Sequence, residues 1–436
     1  MIQQIIFTLL VIAAFYIAGK RFIAIYQSIK LGKPEDLSDH KNIRMKNMLL
    51  MALGQKKMFR NLLPAVFHLF IYVAFIITQI ELIEIFIDGF TGIHRFFWNI
   101  IPLGSFYTFV ISFIEVLSAL AFVATIVFLT RRNIIKLPRF NHPDLKGFPF
   151  RDANIILSLE MLLIVGIFTM NTADMVLHNA EYGFWVSKQL MPLFEGLSPA
   201  TLHFLERLGW WGHVIAVFGF LCYLPFSKHL HIFLAFPNAW YGPIDAGTYK
   251  GQMRNMPHIT HEIKLMLNPQ LAANEPAPTA QGFGAKDVSD LTQKSLLDAF
   301  SCTECGRCTA ACPANTTGKL LSPRKIMMAT RDRLEHISQQ RRQQGANYQP
   351  DGKSLLHDYI TPEEVRACTT CNACVEECPV GINPLNIITE LRRYLILEES
   401  NSPEEWNLMF TNTETSGAVW KMPADQRTKW ADELAG

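Results

Sequence analysis

Long apolar runs fill the first half of the chain, and a polar half follows. Five runs reach the roughly 20 residues that a helix needs to cross hydrocarbon: Ile2 to Ile25, Leu62 to Ile87, Phe106 to Leu129, Ile155 to Leu177 and Trp210 to Phe226. Pro225 interrupts the last one. A stretch rich in Pro and Ala, from Pro269 to Gly284, reads as a loop. Farther on, Ser322 fits a helix N-cap, Pro323 the first turn, and Arg324 to Gln344 is rich in helix formers. The pattern predicts an all-α chain with a membrane part and a water-facing part.

Loop charge orients the spans. Ten basic residues lie between the first two spans, from Lys20 to Arg60, and six between the third and fourth, from Arg131 to Arg151. The other two connections carry only Arg95, and Lys188 with Arg207. Basic loops stay cytoplasmic, so the amino terminus is expected outside and the carboxyl terminus inside. No basic residue precedes the first apolar run, whereas Lys20 and Arg21 follow it, which argues against a cleaved signal peptide. Half of the 436 residues are hydrophobic and the formal charge is +2, which excludes a disordered chain and a strongly basic nucleic-acid binder.

Two copies of C-x2-C-x2-C-x3-C-P carry the chemistry of the polar half: Cys302, Cys305, Cys308, Cys312 with Pro313, and Cys368, Cys371, Cys374, Cys378 with Pro379. In this spacing three thiolates cap one 4Fe-4S cubane and the fourth reaches a neighbouring one. Crossed ligation predicts one cluster on Cys302, Cys305, Cys308 and Cys378, and a second on Cys368, Cys371, Cys374 and Cys312. Disulfides need an oxidising compartment, and structural zinc does not use a prolyl-terminated C-x3-C. Cys222 stands alone in an apolar stretch and reads as a buried thiol.

Histidines mark the membrane part. His213 and His231 are eighteen residues apart, which on one continuous helix is five turns, about 27 Å, and a common face; His229 falls near the opposite face. His68 lies at the depth expected of His231, so the simplest reading is a haem b ligated by His68 and His231. A second haem nearer the outside would take His213 with His178, His94 or His203; His178 leads, because the other two read as loop residues. Ionisable groups inside spans are costly, and Glu115, near mid-span, is the candidate proton relay; a hydrogen bond to a haem propionate or from helix to helix is the alternative role.

The segment from Trp210 to His213, with Pro225 to His231, resembles the fifth helix of the gamma subunit of respiratory nitrate reductase and the cytochrome b subunit of heterodisulfide reductase. That resemblance implies five spans, an outside amino terminus and haem b ligands on the second and fifth helices. Where the nitrate reductase subunit has a second histidine on its second helix, this chain has Thr78. The cysteine module resembles the C subunit of heterodisulfide reductase, a helical ferredoxin. Together these imply a five-helix transmembrane cytochrome b bundle at 1–235, an interfacial segment and linker at 236–287, a cytoplasmic dicluster domain at 288–398 and a tail at 399–436 for partner docking. The implied setting is a prokaryotic inner membrane, with lipid around the spans.

No Cys-Cys dipeptide occurs in the chain, whereas catalytic subunits of that family carry Cys-Cys-Gly. A separate cytoplasmic subunit is therefore expected to supply the catalytic domain and to dock on the tail, with Trp420, Arg427 and Trp430. The expected role is electron transfer between quinone and that subunit through one or two haems and two clusters. Alternatives are the anchor of a lactate, glycolate or glycerol-3-phosphate dehydrogenase that reduces quinone, and a haem and iron–sulfur redox sensor. Thr316 to Lys319 lacks the flanking residues of a phosphate loop. Basic residues from 324 to 342 are expected on a solvated helix face, with partner docking as the alternative.

Overall fold

The structure, a computed structural model, describes residues 1–101, 103–179, 183–242, 244, 256–270 and 282–435. It is 74% helical, with no strand among the described residues. Five helices are long and apolar enough to cross a membrane: α1 (Ile2–Ile29), α2 (Leu62–Thr91), α3 (Ser105–Asn133), α4 (Phe148–Leu177) and α5 (Pro199–Tyr223). α5 starts well before the apolar run at Trp210. Ser198 caps it and Pro199 opens it, and the charges that break its hydrophobic pattern, Glu206 and Arg207, pair with each other.

Small residues set the tightest approach in the bundle. A Cβ on Gly209 of α5 would lie 2.7 Å from the Gly166 carbonyl oxygen and 2.7 Å from the Met170 nitrogen of α4, so backbone packs on backbone there. Phe7 of α1 fills the adjoining space, fully buried against Phe86, Phe90, Trp210 and Phe218. The other side of α1 leaves Ile5, Leu9, Ile12, Phe15 and Tyr16 exposed, the surface a helix offers to lipid rather than to water.

The fifth span is not one continuous helix. α5 ends at Tyr223, short 3-10 turns cover Leu224–Phe226 and Lys228–Leu230, and α6 (His231–Trp240) starts anew. Pro225 sits in the first turn, and Ser227 is extended (φ −111°, ψ 158°) with its hydroxyl accepting from the His229 N–H. The five-turn geometry expected between His213 and His231 is thus corrected, and His229 is a neighbour of His231 rather than its opposite, with ring centroids 5.4 Å apart.

The cysteine-bearing module is built on α7 (Gln293–Ser301), α8 (Pro323–Gln344) and α9 (Pro384–Leu397), followed by α10 (Glu404–Ser416). Leu296, Ile326, Leu334, Leu355, Ile387 and Leu391 form its core. Ser322 accepts from the Lys325 N–H, capping α8 at the residue its sequence predicts. The expected solvated face of α8 is corrected at two positions: Arg324 and Arg333 are buried, at 0% and 2% exposure. Each has found carboxylates, Asp144 for Arg324 and Asp287 with Asp351 for Arg333. Most of the loop expected from Pro269 to Gly284 lies outside the described residues.

The module seats on one end of the bundle. The α1–α2 connection sends Lys57 to the Val375 carbonyl and Arg60 to Glu376; the α3–α4 connection sends Asp144 and the Arg139 carbonyl to Arg324; and Lys228, after α5, pairs with Glu304. The first two of these connections are the ones rich in basic residues.

Candidate redox sites

Both cysteine motifs adopt one backbone. In the first, Glu304 and Gly306, which flank Cys305, have φ of 53° and 73°; in the second, Thr370 and Asn372, which flank Cys371, have 56° and 63°. Paired left-handed residues turn successive N–H groups inward, a concavity suited to sulfur and negative charge. At Gly306 a Cβ would displace the buried Arg324 guanidinium as well as strain a left-handed backbone. Asn372, one of the few residues that tolerate this region, takes the same place in the second copy.

Thiols converge from both copies. Cys312 lines a single cavity with Cys368, Cys371 and Cys374. Burial, and after it the nearby thiols of Cys305, Cys302, Cys378 and Cys374, pushes the Cys308 thiol well above its usual range. Cys308 and Cys374 share a small apolar cluster with Val375 and Leu385, so the two groups adjoin there. None of the nine cysteines is in a disulfide. The donor set fits iron–sulfur clusters. Burial pushes the Cys302 and Cys374 thiols up to about 12, and a thiol so buried gives up its proton only to a cation that replaces it, as iron does. Backbone N–H groups of Thr370 and Ile382 donate to the sulfurs of Cys368 and Cys378, at 3.4 and 3.3 Å. Cys371 alone of the eight motif cysteines is exposed.

Three histidines of the bundle share one arrangement. Nδ1 of His68 lies 3.2 Å from the Gln55 amide oxygen, Nδ1 of His231 lies 3.0 Å from the Lys228 carbonyl, and Nδ1 of His213 lies 3.0 Å from the Leu163 carbonyl. With Nδ1 donating, each ring keeps Nε2 as its lone-pair nitrogen, the tautomer that binds haem iron. His68 and His231 fall within electrostatic range of each other at the module end of the bundle, with His229 beside them. Arg307, from the loop between Cys305 and Cys308, also reaches the field of His68. His68 and His231 are therefore the residues that could hold a haem at this end of the bundle.

The pairing of His213 with His178 does not form. His213 packs against Gly166, whereas His178 lies twelve residues farther along α4, about 18 Å by helical rise. His178 is instead held at the far end, where its Nδ1 is 2.9 Å from Asp174 and its ring stacks on His94. His203 sits near Glu206, at 3.8 Å. Glu115 is buried, and its oxygens accept from the N–H groups of Val186 and Ser187, the Ser187 hydroxyl and the Asn171 amide. It fastens the segment after α4 to α3, the helix-to-helix role that stood beside proton relay. Sequence reading missed Gln55, Asp144, Glu304 and Arg307; the first two sit in polar connections without periodicity, and the other two fill the x positions of the first cysteine motif, which the ligand spacing leaves unspecified.

Comparison with known proteins agrees with the cysteine geometry. The family profile of the 4Fe-4S dicluster domain matches residues 301–382, and a second profile of that description matches 267–317. A probable iron-sulfur-binding oxidoreductase FadF of Bacillus subtilis is 27% identical over 93% of this chain and 57% of its own length. EtfAB:quinone oxidoreductase of Syntrophomonas wolfei is 25% identical over 89% of this chain and 54% of its own. The chain therefore spans a little over half the length of these two relatives. The C subunit of the ferredoxin/F(420)H(2)-dependent CoB-CoM heterodisulfide reductase of Methanosarcina acetivorans is 30% identical over 35% of this chain and 78% of its own length. No solved structure matches. Through its cysteine module the chain belongs to the heterodisulfide reductase-related 4Fe-4S dicluster proteins.

Proposed function

We propose that this chain is the membrane arm of a quinone-linked oxidoreductase, with its amino terminus outside and its cysteine module in the cytoplasm. His68 and His231 hold a haem b, Cys302, Cys305, Cys308 and Cys378 hold one cluster, and Cys368, Cys371, Cys374 and Cys312 hold the other. When bound, these groups supply reversible one-electron chemistry. What the chain contributes is order and insulation. The observation that carries this reading is a succession of neighbouring groups: Arg307 of the first motif lies near enough to act on His68, Cys308 and Cys374 pack in one apolar cluster, and Cys371 is exposed. One haem is proposed, since His213 lacks His178 as a partner.

A cytoplasmic catalytic unit with Cys-Cys-Gly motifs is the proposed electron partner, meeting this chain where Cys371 and residues 399–436 are exposed; Trp420 and Trp430 are 77% and 64% exposed. The relative named EtfAB:quinone oxidoreductase, matched over 89% of this chain, favours a second reading of the direction, in which electrons run from the soluble partner to quinone. The test is a redox titration followed by visible and electron spin resonance spectra. His68→Ala and His231→Ala should each abolish the same low-spin haem signal and leave both cluster signals. Unchanged haem content in either variant would refute the pairing.

A further inference from the structure

We propose that the end of the bundle away from the cysteine module carries a site for a borderline divalent metal ion, Zn2+ in the first instance, formed by His94, Asp174 and His178. The three potential ligand atoms lie within 4.8 Å of one another. His94 Nε2 is 3.0 Å and His178 Nδ1 2.9 Å from the same oxygen, Asp174 Oδ1; His178 Nδ1 also lies 3.0 Å from the Asp174 carbonyl, a hydrogen bond that the ion would replace by taking the proton's place. Ligands bound at about 2.0–2.1 Å around a tetrahedral ion stand roughly 3.3 Å apart, so a small outward breathing of this triangle admits the ion and leaves the fourth position open to water. Two imidazoles and a carboxylate suit zinc better than magnesium or calcium, which prefer all-oxygen shells.

The surroundings meet the other requirements of a built site. Asp174 is 1% exposed, while the imidazoles of His94 and His178 are 37% and 44% exposed, so the anchor is fixed and an entry path exists. The second oxygen of Asp174 accepts from Arg95 Nε, and Arg95 is tied in turn to Tyr107 and Asn171, the outer shell that orients a ligating carboxylate. The turn that presents His94 is pinned by Asp88, which accepts from the N–H groups of Arg95 and Phe96. Glu81, Glu84 and Asp88 line the space beside His94 and Arg95, so carboxyls outnumber the guanidinium there even with Glu206 paired to Arg207. The bound ion clips the α2–α3 connection to the end of α4, independently of haem and clusters.

The experiment uses the full chain with clusters and haem in place. Zn2+ is added, the protein is freed of loose ion by gel filtration, and zinc, iron and haem are counted in the same sample. X-ray absorption at the zinc edge reports the ligands. One zinc per chain with a nitrogen and oxygen shell is expected, and His94→Gln and His178→Gln should each weaken binding by more than the roughly 100-fold that loss of an outer-shell partner costs. Both histidines are solvent-accessible, so these variants keep the fold, which unchanged iron counts verify. No zinc retained, a sulfur shell at the zinc edge, retention unaltered in both variants, or loss of haem from His178→Gln would each overturn the site.

Discussion

A single spacing at the residue scale, C-x2-C-x2-C-x3-C-P, is enough to name the cofactor of this chain, because iron ligation constrains thiols by type and separation. What orients those residues is not legible in the same way. Gln55 holds His68 and the Lys228 carbonyl holds His231, and neither contact leaves a mark in composition or periodicity. Ion pairs hidden in α8 are a third instance. Asp351, clamped by the Arg333 guanidinium, has its carboxyl held down to about 2. A carboxyl lowered on folding lends stability that is complete above its unfolded value, about 4, and is lost as pH falls toward the folded value. Asp351→Asn should therefore speed amide exchange at residues 348–353 by a constant factor from pH 7 to 5, once corrected for intrinsic rates. The difference from the parent should shrink below pH 4 and vanish near 2.

Helices supply the next scale, and there periodicity and length succeed where continuity fails. The five apolar runs become five helices, yet charge at Glu206 and Arg207 hid the first turns of α5, and Pro225 with Ser227 breaks the fifth span before His231. Packing between helices depends on the smallest residues. At Gly209 the α4 backbone leaves no room for a methyl group, whereas at Gly212 nothing lies within 4 Å of a Cβ. Gly209→Ala should cost about 1–3 kcal/mol through overpacking and loosen the contact of His213 with Leu163. Gly212→Ala should be neutral. Thermal unfolding of the two variants in one detergent distinguishes them, and equal midpoints would dismiss the close crossing.

For the whole molecule, the decisive feature is the seam between bundle and cysteine module. Arg324 is fully buried there and bonds to Asp144 and to the Arg139 carbonyl, both from the α3–α4 connection. Breaking one partner of a buried ion pair leaves the other uncompensated, at about 3–5 kcal/mol. Arg324→Ala should thus loosen the seam and raise protease cleavage between residues 134 and 147, while Arg342→Ala, exposed on the same helix, should not. Similar cleavage of both variants would remove Arg324 from the seam. The same seam brings Arg307, from between Cys305 and Cys308, near His68, a proximity that no stretch of sequence contains.

Sequence by itself determined the cluster chemistry, the five apolar helices and the start of α8, because ligand spacing, span length and capping are local properties. Only the tertiary structure decided which histidines meet. That is a matter of helix register and of a break at Pro225 and Ser227, both set by packing between residues far apart in the chain. It parted His213 from His178 and gathered His94, Asp174 and His178 at one end. Likewise, the burial of Arg324 follows from a loop about 180 residues away, a pairing that charge pattern alone assigns to water.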